Sequence, residues 1–245
     1  MKRRNVLAGL AAFATAGCSK IGETSAFAGL VDTAERLHRG AHRLLGGEHQ
    51  LAPEFTVADI SPTFRGNGTI DIPTPEYRAQ QASGFPDWRV EVGGLVERPQ
   101  SLSLADLRAL PQRTQITRHD CVEGWSAIGQ WTGPQLGPIL DRAGVRPEAR
   151  YIVFRCADLL YGAPYYESCG LDDAFHPQTI LAHQLNGEPL PVKNGAPLRL
   201  RIERQLGYKH AKYLTGIEAV ASLDSIADGG GGFWEDRGYQ WYAGI

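Results

Sequence analysis

Thr114–Leu136 reads TQITRHDCVEGWSAIGQWTGPQL, and the interpretation of the whole chain turns on it. Ile116 stands apolar between Gln115 and Thr117, the alternation of a strand, and the run ends on Cys121 with Arg118, His119 and Asp120 before it and Glu123 after it. Two readings of Cys121 stand side by side. Free cysteine is among the most buried residue types and often serves as a small apolar side chain. A strand that delivers a thiol into a cluster of charge instead places a reactive or metal-binding sulfur. Arg118 and a protonated His119 lower a thiol pKa, while Asp120 and Glu123 raise it, so the sign is left to the fold. The following Glu123, Gly124, Trp125, Ser126, Gly129, Trp131 and Gly133 predict a glycine- and aromatic-rich binding loop rather than a core strand.

The string RHDCVEGWSAIGQWTG from Arg118, taken with KNGAPLRLRIERQLGYKHAKY from Lys193 to Tyr213, resembles the molybdopterin-binding domain of the sulfite oxidase family, in the style of its bacterial periplasmic methionine-sulfoxide reductase branch. The resemblance runs from about Pro53 to the C-terminus. It implies that Cys121 is the protein ligand of molybdenum, beside the dithiolene sulfurs of the pterin, and soft thiolate suits that role. Arg118, His119 and Glu123 then surround the metal, His119 being the evident proton carrier near neutral pH. It further implies that Asn67, Asn194, Arg199, His210, Ala211 and Lys212 contact the pterin and its phosphate. A phosphate calls for a guanidinium fork, an ammonium and backbone N–H groups. Cys156 falls where that branch has a cofactor-contacting threonine, and is kept as a cofactor contact.

Taken in order, residues 1–18 open with the basic Lys2-Arg3-Arg4 and continue as a short apolar run. They predict a twin-arginine export leader and not a spanning helix, which needs about 20 apolar residues. Thr15-Ala16-Gly17-Cys18 resembles a lipoprotein processing site, with Cys18 as the lipid-anchored residue. Residues 19–52 form a linker and an amphipathic helix over Phe27–Gly47, since Leu30, Ala34, Leu37, Ala41, Leu44 and Leu45 recur at helical spacing among Arg36, Arg39 and Arg43. That basic stripe either packs on protein or lies on lipid.

Residues 53–228 are the oxidoreductase domain. Leu51–Phe85 predicts an extended loop with a turn at Asn67-Gly68. Strands are expected at Trp88–Val96, before Cys121, at Tyr151–Cys156, at Leu198–Ile202 and at Leu214–Val220, with helices after the Ser103 capping box, at Pro134–Ala143, at Leu171–Phe175 and at Thr179–Leu185. Such irregular order predicts an α+β class, with mixed sheets and short helices in a single domain lacking a dimerisation domain. The tail 229–245, GGGGFWEDRGYQWYAGI, predicts a glycine hinge and an aromatic segment that folds back over the core or over a substrate funnel. Glu235 and Arg237 are expected to pair or to face substrate.

A net charge of −2 gives no electrostatic case for nucleic acid. Neither zinc nor c-type haem is supported, because the four cysteines form no C-x-x-C string. The expectation is a periplasmic or exported monomer that binds a molybdenum-molybdopterin cofactor and a small-molecule substrate. Electrons are exchanged with a membrane haem protein or a soluble cytochrome. The substrate is a sulfoxide if the cup is aromatic, or sulfite if it is rich in arginine. Two other classes stay open: a metal-free thiol enzyme in which His119 activates Cys121, weakened if the two point to opposite strand faces, and a non-catalytic exported binding lipoprotein.

Overall fold

Strand β1 (Arg89–Gly94) buries Val90 and Val92 and turns Arg89 and Glu91 to solvent, as the alternation predicts. It belongs to the computed structural model of the chain, which describes residues 24–46 and 50–245. The leader, Cys18 and the join at 47–49 lie outside the described residues. Helix α1 (Ser25–Gly46) belongs to a unit of its own and covers the predicted amphipathic stretch. Among the described residues no helix is long and apolar enough to cross a membrane.

The second unit holds everything from residue 50 onward. Helix α2 (Pro75–Ala82) departs from the predicted loop. Thr74 caps it by accepting from the Tyr77 N–H at 3.3 Å, and Pro75 occupies its first position, where a missing N–H costs nothing. Strand β1 pairs with β2 (Gln100–Ser103), after which the Ser103–Asp106 capping box starts α3 (Leu104–Ala109). Strands β3 (Gln112–Cys121) and β4 (Trp125–Pro134) form a hairpin in register from Gln112–Pro134 to Cys121–Trp125. The glycine-rich stretch after Cys121 is thus a full strand and not a loop. Its glycines provide close approach: a side chain on Gly133 would meet the Leu181 carbonyl oxygen at 2.0 Å.

Helix α4 (Leu136–Ala143) ends at Gly144 in the left-handed conformation (φ 71°). Strands β5 (Tyr151–Leu160) and β6 (Ala163–Gly170) follow, then the single-turn α5 (Leu171–Ala174). The predicted helix at Thr179–Leu185 is instead β7 (Ile180–Ala182) and β8 (Gln184–Leu185), which turns through Asn186-Gly187 into β9 (Glu188–Pro189). A run buried on every side has no helical stripe to display, and pairing with neighbouring strands satisfies its backbone. Strands β10 (Arg199–Arg201) and β11 (Leu214–Val220) complete the set.

The sheets run β2-β1-β11-β5-β6, with β1 parallel to β11, then β3-β4-β8-β9 and β10-β7. This is the expected α+β arrangement of mixed sheets and short helices. The largest core lies against the five-stranded sheet around Val90, Ile152, Phe154 and Ile217, and a second gathers Phe64, Trp131 and Ile180 under the hairpin. Cys156 and Cys169 are both free. Cys169 is opposite Ile152 in the β5–β6 ladder, four positions from Cys156 along the strand, about 13 Å at strand rise and too far for a disulfide.

Candidate functional site

Along β3 the even spacing decides what reaches the interior. Gln115, Thr117, His119 and Cys121 turn inward, while Arg118 and Asp120 fall on the other face. His119 and Cys121 are two residues apart and therefore share a face, so the objection that they point oppositely does not hold. Arg118 is not at the site. It pairs with Asp120 at 2.9 Å on the outer side.

At the end of β3, Gly124 (φ 84°) lets the chain turn into β4 and holds the Cys121 carbonyl at 3.0 Å. The Cys121 thiol, 7% exposed, opens onto a cavity of about 360 Å3. Burial pushes its pKa up, which the Glu123 N–H only partly offsets. Asn67, Glu123, His210 and Lys212 line the same cavity, so five of the expected residues converge there. Glu123 turns its carboxylate to the Trp125 indole N–H, 3.0 Å away.

Beneath the cavity lies a buried polar layer. The Arg201 guanidinium, which can only donate, reaches His119 Nδ1 at 2.9 Å. That fixes the neutral imidazole with its proton on Nε2. His210 Nε2 lies 3.0 Å from the Gln205 carbonyl and must carry its proton there, leaving Nδ1 as an acceptor. The two rings meet edge to face at 5.0 Å. Burial, followed by the charge of Arg201, holds both imidazoles well below the usual histidine value. His119 is therefore no proton carrier near neutral pH, contrary to expectation.

A testable pH dependence follows. Below about 6.5, the ordinary value, each imidazole takes up a proton in the unfolded chain and not in the folded one. Their contribution to stability is then present above 6.5 and lost as the pH falls from there toward the depressed folded values. The slope is at most about 1.4 kcal/mol per pH unit for each ring. Urea midpoints from pH 7 down to 5 should fall, and His210→Gln should flatten that fall by up to half.

Arg199 and Arg201, which strand alternation would turn to solvent, are fully buried and lie over the Trp131 ring at 5.0 and 4.3 Å. Arg199 donates to the carbonyls of Asn194 (3.0 Å) and His210 (3.3 Å). The Asn194 side-chain amide donates to the Arg65 carbonyl. Lys212 donates to the carbonyls of Asn67 (2.6 Å), Thr69 and Lys193. Burial, with Arg199 behind it, lowers the ammonium to about 7. Ala211 does not line the cavity: its methyl is in the core and its carbonyl accepts from Leu200. Cys156 is one layer behind, receiving the Lys212 N–H while burial raises its thiol pKa.

Several lining residues escaped the sequence. Asp158, 2% exposed, sits at the wall with its carboxyl pKa raised by burial. The expected strand ended at Cys156, and the bulge between Arg155 and Leu159 removes the alternation that would have pointed to Asp158. Tyr165, Tyr208, Trp234 and Tyr239 form much of the remaining wall. The tail thus covers both core and cavity. Glu235 and Arg237 do neither of the things expected, because Glu235 binds the buried Lys209 and Arg237 lies over the Phe233 ring at 3.7 Å.

Among the buried polar atoms around this site that lack a partner are the donors His119 Nε2 and Arg199 Nε, the acceptors His210 Nδ1, Asn194 Oδ1 and Asp158 Oδ1, and the Thr69 hydroxyl. Buried polar groups are ordinarily paired, and leaving one unpaired costs about 1–3 kcal/mol. A flat heterocycle that both donates and accepts would answer such a set, and a pterin fits that description.

Comparison with known proteins agrees. The family description "Oxidoreductase molybdopterin binding domain" matches residues 73–225. The putative protein-methionine-sulfoxide reductase subunit YedZ1 of Azospira oryzae is 40% identical over 196 residues, covering 80% of this chain and 69% of that protein. The protein-methionine-sulfoxide reductase catalytic subunit MsrP of Xanthomonas axonopodis pv. citri is 37% identical over 165 residues, 63% of this chain and only 51% of its own length. The crystal structure of the sulfane dehydrogenase SoxCD from Paracoccus pantotrophus superposes with a TM-score of 0.51 at 23% identity, over 56% of this chain and 39% of that one, which speaks to fold alone. With its thiol, its unpaired polar layer and these relatives, the chain belongs to the molybdopterin-binding oxidoreductases of the sulfite oxidase family.

Proposed function

We propose that this enzyme holds a molybdenum-molybdopterin cofactor on Cys121 and reduces small sulfoxides, with oxygen leaving as water. The observation that carries it is the Cys121 thiol opening onto a cavity whose lining includes the unpartnered buried atoms Thr69 Oγ1, Asp158 Oδ1 and His210 Nδ1, with His119 Nε2, Asn194 Oδ1 and Arg199 Nε unpartnered in the polar layer beneath. When bound, the cofactor supplies two-electron oxygen-atom transfer.

The chain's own residues hold and shield. Among the described residues no group of three or more His, Cys, Asp or Glu side chains makes a metal cage. Cys121 would hold the metal, and the bound cofactor would supply the two-electron chemistry there. The raised thiol pKa means that metal binding displaces a proton from Sγ. It speaks against the metal-free thiol enzyme, which needs an activated thiolate. His210 Nδ1 at the cavity wall is free to bind the pterin, with Asn194 Oδ1 and Arg199 Nε unpartnered in the layer beneath, and the Lys212 ammonium supplies a cation for its phosphate. Sulfoxide reduction consumes two protons and two electrons, the electrons coming from the external donor.

The lining favours a sulfoxide over sulfite. Tyr161, Tyr165, Tyr208, Trp234 and Tyr239 are among the lining residues, and among the described residues no arginine is, so the cup suits a neutral, partly apolar substrate better than a dianion. Relatives at 40% and 37% identity are named for protein-methionine-sulfoxide reduction, which supports the same choice. Export through the Arg3-Arg4 leader, anchoring at Cys18 and electron supply from a membrane haem protein or soluble cytochrome to a monomer complete the reading.

The test is elemental analysis followed by turnover. Protein made in a host that synthesises the cofactor should contain equimolar molybdenum and should oxidise a reduced viologen dye with methionine sulfoxide. Sulfite oxidation without sulfoxide reduction overturns the substrate, and absence of molybdenum overturns the whole reading.

A further inference from the structure

The family match ends at residue 225, yet part of the cavity wall lies beyond it. Phe233 stacks on Tyr165 at 5.3 Å, and Trp234 stacks on Tyr239 at 5.2 Å with planes 29° apart, both lining the cavity. Tyr239 also meets Tyr208 edge to face at 5.3 Å. Such a paired aromatic wall presents broad π-faces to whatever enters.

Its position is fixed by one buried ion cluster. Lys209 Nζ donates to Glu167 at 2.6 Å and to Glu235, with all three side chains at most 1% exposed. Glu235 directly follows Trp234, so the ion pair is attached to the stacked ring by a single peptide. Gly232 allows the packing, because a side chain there would meet the Glu235 and Glu167 carboxylates at 2.1 and 2.6 Å. The rest of the segment is tied by Trp241 to Ser168 (2.8 Å), Tyr208 to the Gln240 carbonyl (2.7 Å) and Ala243 to Gln205 (2.9 Å). A buried charge pair stabilises weakly but specifies one arrangement, since a shifted segment would strand the Glu235 carboxylate away from its ammonium while Lys209 kept Glu167.

We propose that residues 229–245 form a substrate-selecting lid, in which the Trp234–Tyr239 stack binds the organic substituent of a sulfoxide and Glu235 on Lys209 is the positioning residue that holds it. This rests on the sulfoxide reading and deepens it. Aryl rings and alkyl groups beside a sulfoxide sulfur pack well on aromatic faces. The lid therefore selects thioether-type and aryl methyl sulfoxides over dimethyl sulfoxide, whose small groups leave the rings uncovered.

The experiment compares methyl phenyl sulfoxide with dimethyl sulfoxide on the cofactor-loaded enzyme and a viologen donor. Trp234→Ala should lower the ratio of their kcat/KM values about tenfold, the discrimination of a modest apolar contact, through KM for the aryl substrate. Trp234→Phe, which keeps a ring and the packing, should restore most of the ratio. Glu235→Gln should shift the same ratio and speed protease cleavage within 229–245. A second readout needs no turnover: with no donor present, methyl phenyl sulfoxide should quench indole emission saturably in the wild type, and the quench should vanish in Trp234→Phe. Saturable quenching lost in that variant, without turnover of any sulfoxide, would sink the reductase reading and leave the lid. Turnover with an unchanged ratio in Trp234→Ala, or quenching that survives Trp234→Phe, overturns the lid.

Discussion

Cys121→Ser should purify as a folded protein that retains little molybdenum and loses at least about 10²-fold of sulfoxide reduction, the loss typical of merely disturbing the groups around a metal. Serine preserves the shape of the site. Its hydroxyl, however, is a poor donor to a metal that favours sulfur, and it does not ionise to an equivalent anion at neutral pH. The fold should tolerate the change, since the thiol faces a cavity and not the packed core. A hydroxyl there costs about 1–3 kcal/mol at most. The measurement is molybdenum by elemental analysis alongside a circular dichroism spectrum and melting curve. Wild-type occupancy in a folded Cys121→Ser protein would remove the assignment of this sulfur to the metal.

Much of that site was legible because strand parity is a short-range rule. A period of two along Gln115 to Cys121 puts His119 and Cys121 on one face and Arg118 on the other, whereas Arg118 was expected beside the metal because the frame of the alternation is set by what packs on β3 and not by the run itself. The end of β5 was lost because a β-bulge between Arg155 and Leu159 breaks the ladder, so parity no longer reports where Asp158 points. Glycine misled at Gly129 and Gly133. Local propensity places them in a loop, whereas their purpose is to admit the Phe64 ring and the Leu181 carbonyl from distant parts of the chain. Thr179–Leu185 failed for a related reason, as a run buried on all sides carries no periodicity to tell strand from helix.

The burial of Arg199 and Arg201 is the deepest departure, and it has an energetic consequence. Charged residues alternating with leucine and isoleucine ordinarily mark a half-exposed strand. Here both faces of β10 are covered, and the guanidiniums are accommodated by the Trp131 ring, by carbonyls and by Glu203. None of those partners can be deduced from the order of residues in β10 itself, because Trp131 arrives from the hairpin and the His210 carbonyl from beyond the strand.

Glu203→Leu should accordingly be among the most damaging single changes in the molecule. Arg201 and Glu203 pair at 2.5 Å with both side chains wholly buried, and Glu203 Oε1 also accepts from Gln115 at 2.8 Å. Removing the carboxylate leaves a guanidinium without its counter-charge and an amide donor without its acceptor. Breaking one side of such a pair costs about 3–5 kcal/mol. For a domain of this size that corresponds to roughly 6–20 °C in Tm. Removing both charges as Arg201→Met with Glu203→Leu should be milder than the single change, because no buried ion is then stranded. The double variant carries a separate functional signature. His119 Nδ1 loses the donor that fixes its tautomer, so the imidazole beside Cys121 is free to reorient, and cofactor retention should fall even where Tm recovers. Thermal melts of the two variants with molybdenum analysis of each decide the matter. A double variant no more stable than Glu203→Leu would show that the cost lies in lost packing against Trp131 and not in the unpaired charge.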